Sequence, residues 1–441
     1  MSGLTFLIMF MILMSLTFIV PVLLRRFHIP AVVSMMLVGI VIGPNMLNLV
    51  QRVNNIMGRG YPTEDIYLVL DTLGLLGLIF VMVLAGMEVR LNIIKLERKA
   101  VLWLGALTFL MPAVTGYYVY AVFEPGQLIG KLVYASLFAS HSIGILFPII
   151  KEFKIVRTRI GVSVLAATII TDIASFILLA ICIQMNRHAK PESMLGSISI
   201  FDRLPLQDLG LCFFALFGIS ILAYIVLSMW LIPIVAEKVL SRIHYTNDSR
   251  LTFFLVGVLI IVLIGELIGI SVVVGAFVAG MAIIRTPSFH DHERLLHQKI
   301  EGMSYGFLIP FLFLTIGMKT DLSILFSAWK ISAIVAATII GLVLSKTISG
   351  WLAMRLSGFD NKKGICVGLM TTPQLDATLA AASVALHLGM IEAEFFNAIV
   401  CLSIFTTIPI PVLLKFLITK WQIRFEQIKD NSLATIEMEI I

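Results

Sequence analysis

Thirteen apolar stretches constrain the fold of this 441-residue chain more than any other feature. A membrane-spanning helix needs about 20 apolar residues. On that scale the stretches lie near 4–24, 30–46, 67–87, 101–123, 132–150, 160–184, 208–235, 251–268, 270–285, 303–318, 329–353, 364–386 and 394–418. Charged residues make up only 13% of the chain, against roughly 25% in a soluble domain. The sequence therefore predicts an all-α polytopic membrane protein of 13 transmembrane helices, with one transmembrane domain over 1–419 and a short tail over 420–441.

The loop charges predict how the chain is oriented. When the odd-numbered loops and the C-terminus are placed on one side, that side collects most of the 32 Lys and Arg residues. By the positive-inside rule this side is cytoplasmic, so we expect the C-terminus inside and the N-terminus outside a plasma or inner membrane. The net charge of +6 then reflects orientation, and no nucleic-acid partner is expected. The first stretch is too long and too weakly basic for a signal peptide, and we expect it to be a span.

Two halves of the sequence resemble each other. At an offset of 241, HIPAVVSMMLVGIVIG aligns with GISVVVGAFVAGMAII, and at an offset of 231, GLIFVMVLAGMEVRL aligns with LIPFLFLTIGMKTDL. Each match is displaced by seven stretches, an odd number, so the copies would have opposite orientations. Inverted repeats are typical of secondary transporters. We expect repeats over about 4–184 and 251–418 and a linker helix over about 208–235, although chance similarity between apolar helices stays an alternative.

Polar residues interrupt one apolar stretch in each half. They are Ser140, His141 and Ser142 in LVYASLFASHSIGILFPII, and Thr371, Thr372, Pro373, Gln374 and Asp376 in CVGLMTTPQLDATLAAAS. Proline removes a backbone donor and clashes with the preceding turn, and irregular backbone at this depth is tolerated only where it lines a buried or watery cavity. We therefore expect two crossed, discontinuous helices whose ends offer carbonyls and dipoles to an ion. Alternatively, the polar side chains bond neighbouring helices.

Asp172 is the one ionisable residue of the stretch IGVSVLAATIITDIASFILLAI, near its centre. A carboxylate at that depth costs at least about 2.5 kcal/mol on insertion scales and usually marks an ion path or proton relay. Because burial penalises its charged form, such a group can hold a proton or a cation but not both. Mutual exclusion of this kind is the minimum requirement for exchange. The alternative is a structural pair with Lys346.

Three other charged residues lie inside apolar stretches. Lys346 needs an anionic partner, must lose its proton or must snorkel outward. Asp172, Asp376 and Glu266 are its candidate partners, and Glu266 alternatively anchors a helix end. We assign Lys346, Asp376, Gln374 and Glu266 to charge compensation or coupling.

The histidines and cysteines indicate no enzyme. His141 lies in a break, where its titration near pH 6.5 suits sensing or gating, with a hydrogen-bonded filler as the alternative. His290, His292 and His297 have the spacing of a solvated amphipathic segment rather than of a metal cage. The cysteines lack metal-ligand spacing, so we expect packing residues; they are Cys182, Cys212, Cys366 and Cys401. No nucleotide-binding or Ser/His/Asp motif is present.

The segments SHSIGILFPIIKEF and LAATIITDIASFILLAI together resemble the unwound-helix and aspartate motif of the monovalent cation/proton antiporters, in the branch of bacterial sodium/proton antiporters and potassium efflux transporters. IPAVVSMMLVGIVIGP, GISVVVGAFVAGMAI, FLIPFLFLTIGMKTDL and LVLSKTISG are similar to other landmarks, so the resemblance covers about residues 5–418. It implies 13 helices, a mobile six-helix core, a dimerisation domain and elevator-type alternating access. It also implies that Asp172 is the ion-binding aspartate and Lys346 the family lysine.

Two departures from the family pattern modify these expectations. Thr171 stands where electrogenic members have a second aspartate, which predicts one-for-one, electroneutral exchange and leaves Lys346 without its usual partner. TPQLDA replaces a Pro-x-Gly-Glu sequence, which weakens inference about ion selectivity. No nucleotide-binding regulatory domain follows the last span, which favours sodium over potassium.

The sequence thus predicts a homodimeric Na+/H+ antiporter in which Asp172 binds Na+ and H+ alternately. Neutral oxygens or carbonyls around the ion are assigned to Ser140, His141, Ser142, Thr171, Thr371 and Thr372. No resident cofactor is expected; the partners are the transported ions and membrane lipid. K+/H+ exchange is the alternative, and a sodium-coupled organic-solute symporter a more distant one.

Overall fold

The computed structural model of the chain describes residues 3–27, 29, 31–56, 63–87, 98–141, 146, 150, 153, 155, 158–189, 211–240, 247–286, 293–321 and 329–423. All elements in these residues are helices: α1 Gly3–Leu24, a 3-10 turn Arg25–Phe27, α2 Ala31–Ile42, α3 Leu49–Ile56, α4 Thr63–Met87, α5 Arg98–Phe123, α6 Leu128–Ala139, α7 Arg159–Ala189, α8 Leu211–Leu240, α9 Asn247–Leu267, α10 Val272–Ile283, α11 Glu293–Met303, a π-helical turn Ser304–Leu308, α12 Ile309–Lys319, α13 Trp329–Leu356, α14 Asn361–Met370, α15 Asp376–His387, α16 Ala393–Thr407 and α17 Pro409–Lys420.

The helices confirm the multi-pass architecture. In the described part of the chain, eight helical segments are long and apolar enough to cross a bilayer, and shorter apolar helices accompany them. Each of the 13 predicted stretches contains helix. Two predicted spans are each built from two shorter helices, α14 with α15 and α16 with α17, so the count of 13 spans stays a prediction.

Both predicted interruptions are present where the structure describes them. α6 ends at Ala139, and Ser140 has extended backbone with φ −62° and ψ 164°. In the other half α14 ends at Met370 and α15 begins only at Asp376. α14 itself begins after Asp360, whose carboxylate accepts a hydrogen bond from the amide of Lys362 at 3.2 Å and so caps the helix.

The chain divides into two compact units. The first comprises Met1–Met87, Ile225–Ile264 and Gly275–Ser332, and the second comprises Glu88–Tyr224, Gly265–Val274 and Ala333–Ile441. In the first unit α12 packs on α2 and on α4. In the second unit α5, α6 and α7 pack on one another, α15 packs on α6 and α16, and α14 packs on α17.

Helix bounds recur at the two offsets found in the sequence. Residues 31 and 42 of α2 map onto 272 and 283 of α10 at an offset of 241. The last residue of α6, 139, maps onto 370 of α14 at an offset of 231. Two segments with the same helix starts and stops support a repeat more strongly than shared hydropathy does.

The first unit contains two glycine–glycine contacts whose positions are related by the same two offsets. A Cβ built on Gly39 of α2 would lie 3.0 Å from the Cα of Gly317 in α12 and would overlap a backbone carbonyl of that helix. A Cβ built on Gly280 of α10 would lie 3.1 Å from the Cα of Gly86 in α4, again against a carbonyl. Adding 241 to 39 gives 280, and subtracting 231 from 317 gives 86. Both helix pairs therefore touch backbone to backbone at equivalent positions, which only glycine permits.

Candidate ion-binding site

The end of α6 leaves backbone carbonyls that need hydrogen-bond donors. The amide of Ser140 continues the helix by donating to the carbonyl of Ser136 at 3.2 Å, and the Ser140 hydroxyl lies 3.0 Å from the carbonyl of Leu137. The next carbonyls, those of Ala139 and Ser140, accept hydrogen bonds from the ammonium of Lys346 at 3.0 and 2.8 Å. A cation on α13 thus occupies the negative end of the interrupted helix.

Asp172 lies beside this break. The backbone amide of His141 donates to Oδ1 of Asp172 at 2.8 Å. Both residues are almost fully buried, at 1% and 4% exposure. The extended backbone after α6 turns an amide away from its own helix and toward α7, so the break itself fixes one oxygen of the carboxylate. A hydrogen bond to a charged acceptor is among the stronger ones that proteins make.

The side chain of His141 connects Lys346 to Thr171. Nε2 of His141 lies 3.2 Å from Nζ of Lys346, and Nδ1 lies 2.6 Å from the hydroxyl oxygen of Thr171. Nζ of Lys346 also lies 3.5 Å from Nδ1. An ammonium only donates, and the tautomer of the ring decides whether Nδ1 donates to Thr171 or accepts from it. The hydroxyl of Thr171 in turn donates to the carbonyl of Thr168 at 2.9 Å. His141 is therefore fully hydrogen-bonded.

Lys346 neither snorkels nor pairs directly with an acid. Its side chain is completely buried, and no hydrogen bond or ion pair among the described residues joins it to Asp172. The two are connected through His141 instead. The sequence left three outcomes open for Lys346, which were an anionic partner, loss of its proton, or snorkelling. In the structure its Nζ contacts the backbone carbonyls of Ala139 and Ser140.

Gln374 joins the second break to the first. Its amide nitrogen Nε2 donates to the carbonyl of Ser140 at 2.7 Å, and its own backbone amide donates to the hydroxyl of Thr406 in α16 at 3.3 Å. Its Oε1 accepts from the hydroxyl of Thr378, and Thr378 Oγ1 lies 2.8 Å from the hydroxyl of Ser140. Side chains from α15 and from the break after α14 therefore hold the end of α6.

Thr371 and Thr372 are buried, but their hydroxyls point back along α14. Both donate to the carbonyl of Gly368, at 2.8 and 3.0 Å. Within the described part of the chain, the hydrogen bonds of Asp172, His141 and Lys346 go to other residues than Thr371, Thr372 and Glu266. Glu266 lies half-buried in the last turn of α9. Its assignment, like those of the two threonines, stays a prediction.

Several predicted positions lie outside the described residues. These are Ser142, His290 and His292, together with the side chains of Asp376, His297 and Cys212. The described cysteines Cys182, Cys366 and Cys401 are buried free thiols, which agrees with a packing role. No group of three His, Cys, Asp or Glu suited to a metal occurs in the described part of the chain.

Residues 13–420 match the family described as the transmembrane sodium/hydrogen exchangers. The chain belongs to that family. A relative described as probable Na+/H+ antiporter 3 of Methanocaldococcus jannaschii is 35% identical over 406 residues, which cover 92% of this chain and 95% of the relative. The Na+/H+–K+ antiporter GerN of Bacillus cereus is 28% identical over 88% of this chain and 89% of its own. Exchangers are transporters, and the chain is accordingly a multi-pass membrane protein.

The exchanger fold is also found by structural comparison. The chain superposes on the sodium proton antiporter MjNhaP1 from Methanocaldococcus jannaschii, determined at pH 8, with a TM-score of 0.62. The sequences are 17% identical, and the match covers 93% of this chain and 95% of the other. This likeness confirms the predicted fold class, the sodium/proton antiporter fold.

The sequence interpretation missed part of this candidate site. Thr378 and Thr406, which hold Gln374, were not singled out, and neither was Thr168, which accepts from Thr171. Each lies in an apolar helix with no ionisable neighbour at helical spacing other than Asp172. The i, i+4 relation of Gln374 to Thr378, and of Thr168 to Asp172, was the available signal.

Proposed function

We propose that this exchanger is a secondary active Na+/H+ antiporter that moves one Na+ against one H+ at Asp172. The observation that carries the proposal is the hydrogen bond from the His141 amide to Asp172 at a helix break. It holds one carboxylate oxygen in place, and the other oxygen accepts no hydrogen bond from the described residues. The printed names of the relatives, which are Na+/H+ antiporters, support Na+ as the cation.

Exchange follows from competition at a single carboxylate. With Na+ bound, the negative charge of Asp172 is neutralised by the ion; with a proton bound, it is neutralised covalently. In both loaded states the carboxyl group and its cargo carry zero net charge. A site that crosses the membrane loaded in either way moves no net charge, which is the basis for electroneutral exchange.

Lys346 supports this scheme without exchanging a proton. Its ammonium stays on the carbonyls of Ala139 and Ser140, where it offsets the negative end of α6 in both loaded states. Thr171 supplies a hydroxyl rather than a second acid next to Asp172, so only one titrating carboxylate is available. We propose that Thr171 sets the one-for-one stoichiometry.

Alternating access by elevator motion, a homodimeric assembly and a cytoplasmic C-terminus complete the proposal. The first two follow from the family resemblance and the third from the loop charges. The cell membrane is the proposed location. K+ is the second candidate cation because GerN, at 28% identity, is named for both ions.

The test uses proteoliposomes that contain a pH-sensitive dye. Na+, Li+, K+ or an organic cation is added at the same concentration outside vesicles with an acidic lumen. Na+ should alkalise the lumen, and the organic cation should not. A second set of vesicles tests the voltage dependence of Na+-driven exchange. Equal K+ on both sides together with valinomycin clamps the membrane potential, and the rate of alkalisation should not change.

Asp172→Asn is the decisive variant, and Asp71→Asn is its matched control. Asp71 is about half exposed and pairs with Lys319 at 2.9 Å, so its replacement should leave exchange intact. We expect Asp172→Asn to abolish exchange while the protein stays folded. Undiminished flux in Asp172→Asn would contradict the proposed site; exchange with K+ alone would replace Na+ by the second candidate, and amino-acid-coupled Na+ entry would favour a symporter.

A further inference from the structure

The contact between α6 and α7 contains a second polar group beside Asp172. Ser175 follows Asp172 by three residues in α7, so the two lie on the same side of that helix. The Ser175 side chain is 2% exposed. Its hydroxyl has no hydrogen-bond partner among the residues that the structure describes.

Other hydroxyls of α7 do not behave in this way. Ser163 donates to the carbonyl of Arg159 at 2.7 Å, and Thr168 donates to the carbonyl of Val164 at 2.9 Å. Bonding back to the preceding turn is the ordinary solution for a buried serine or threonine in a membrane helix. Ser175 makes no such bond, although leaving a buried hydroxyl without a partner is unfavourable. Such a group in a native protein calls for an explanation.

Two hydrogen bonds show how α7 lies against α6 and the break that follows it. The hydroxyl of Ser136 in α6 donates to the carbonyl of Ser175 at 2.8 Å, and the amide of His141 donates to Asp172 at 2.8 Å. Residue 136 of α6 therefore lies beside 175 of α7, and residue 141, just past the end of α6, lies beside 172, so the two segments run antiparallel. Ser175 lies about 4.5 Å from Asp172 along the axis of α7, at three residues of 1.5 Å rise.

Most other oxygen atoms near Asp172 are already engaged. The carbonyl of Ser140 accepts hydrogen bonds from both Lys346 and Gln374. The hydroxyl of Thr171 is hydrogen-bonded to the ring of His141 and to the carbonyl of Thr168. A partly dehydrated monovalent cation needs several oxygen ligands in place of its water. The second carboxylate oxygen of Asp172 and the hydroxyl of Ser175 form no hydrogen bond within the described residues, whereas the hydroxyl of Thr168, four residues before Asp172, is oriented by its bond to the carbonyl of Val164.

We infer that the hydroxyl oxygen of Ser175 is a ligand of the transported cation, together with the carboxylate of Asp172. This inference rests on the proposed function and names a further residue of the same site. A hydroxyl is a neutral hard ligand whose hydrogen can turn away from the ion. It adds nothing to the charge of the loaded site, so exchange stays one for one. Ser175 thus contributes to cation affinity, whereas proton binding needs only Asp172.

The experiment compares Ser175→Ala with Ser163→Ala in proteoliposomes. Both changes remove one buried serine hydroxyl from α7, but Ser163 lies nine residues before Asp172 in the sequence. We expect the apparent KM for Na+ to rise about tenfold in Ser175→Ala, as for the loss of a polar contact to a charged group. The maximal rate should stay near wild type. Ser163→Ala should keep the wild-type KM. Binding of 22Na+ to the detergent-solubilised protein should weaken in parallel.

Ser175→Cys separates an oxygen ligand from a space-filling side chain. The thiol is close to serine in size but is a soft, poor ligand for a hard cation. A raised KM in both Ala and Cys variants supports the inference. A wild-type KM in Ser175→Ala, or a defect that Ser175→Cys restores, or a lower unfolding temperature with an equal loss for every cation, would overturn it. If wild type and Ser163→Ala show no cation-driven proton movement at all, the proposed function itself fails.

Discussion

Nζ of Lys346 lies 2.8 Å from the carbonyl oxygen of Ser140, the residue at which α6 stops being helical. The same ammonium lies 3.0 Å from the carbonyl of Ala139 and 3.2 Å from Nε2 of His141. Lys346 is therefore part of the fold of the break as well as of its electrostatics. An interrupted helix in an apolar environment must find donors for its last carbonyls, and here a lysine from another helix supplies them.

Replacing Lys346 should therefore destabilise the protein even without a transported ion. Lys346→Ala leaves the carbonyl of Ala139 without its donor and leaves the carbonyl of Ser140 with only the amide of Gln374, and an unsatisfied buried acceptor costs about 1–3 kcal/mol. We expect a loss of at least about 2 kcal/mol, measured as a lower unfolding temperature in detergent. Lys319→Ala is the control, because its ion pair with Asp71 is substantially exposed and such pairs contribute about 0–1 kcal/mol. Equal effects of the two variants would contradict the structural role of Lys346.

The sequence predicted the break and placed Lys346 inside an apolar stretch, but it did not predict how the two fit together. Apolar stretch length and Pro373 predicted interrupted helices because they act locally along the chain. The donor to the carbonyl of Ser140 lies 206 residues away, and no spacing rule connects such a pair. The orientation of Gln374 toward Ser140 and the unpartnered hydroxyl of Ser175 depend on side-chain rotamers at helix contacts, which hydropathy does not encode. By contrast, the offset of 241 predicted in the sequence matched both ends of α2 and α10.

Thr171→Asp should make exchange sensitive to voltage. The substitution places a carboxylate where the hydroxyl oxygen now lies 2.6 Å from Nδ1 of His141, next to Asp172 in sequence. Two adjacent acids that titrate in turn allow two protons to be exchanged for one cation, so the cycle moves net charge. In Na+-loaded proteoliposomes the rate should follow an imposed potential in this variant alone. Thr171→Val removes the hydroxyl without adding charge and should stay electroneutral; a voltage response in Thr171→Val would refute the stoichiometric role of position 171.

Gly39→Ala and Gly280→Ala should destabilise the first unit to similar extents. A Cβ at either position would overlap a backbone carbonyl of the facing helix, and overpacking of this kind costs about 1–3 kcal/mol. Gly218→Ala in α8 is the control, since a Cβ there meets nothing within 4 Å, and alanine is the better helix former by up to about 1 kcal/mol. Unfolding temperatures in detergent should fall for the first two variants and hold or rise for the third. A large effect in only one of the paired glycines would argue against equivalent helix contacts in the two halves.

Gln374→Ala should slow exchange without changing the apparent KM for Na+. No described hydrogen bond joins Gln374 to Asp172, so cation affinity should not depend on it. Its amide does donate to the carbonyl of Ser140 at 2.7 Å, and its Oε1 accepts from Thr378. Without both contacts the two breaks are no longer hydrogen-bonded to each other. We expect the maximal rate to fall about tenfold, which corresponds to about 1.4 kcal/mol on the activation barrier.

Gln374→Glu sharpens the test of Gln374, because a carboxylate keeps the acceptor for Thr378 but cannot donate to Ser140 when charged. Its negative charge would also compete with the carbonyl of Ser140 for the ammonium of Lys346. The variant should therefore regain rate only at a pH low enough to protonate the new acid, so its rate against pH should gain a rise on the acid side that wild type lacks. Gln127→Glu, at a site where Gln127 bonds Tyr120 and Glu392, controls for added charge. A pH profile of Gln374→Glu that superposes on wild type would show that the amide donor to Ser140 is dispensable.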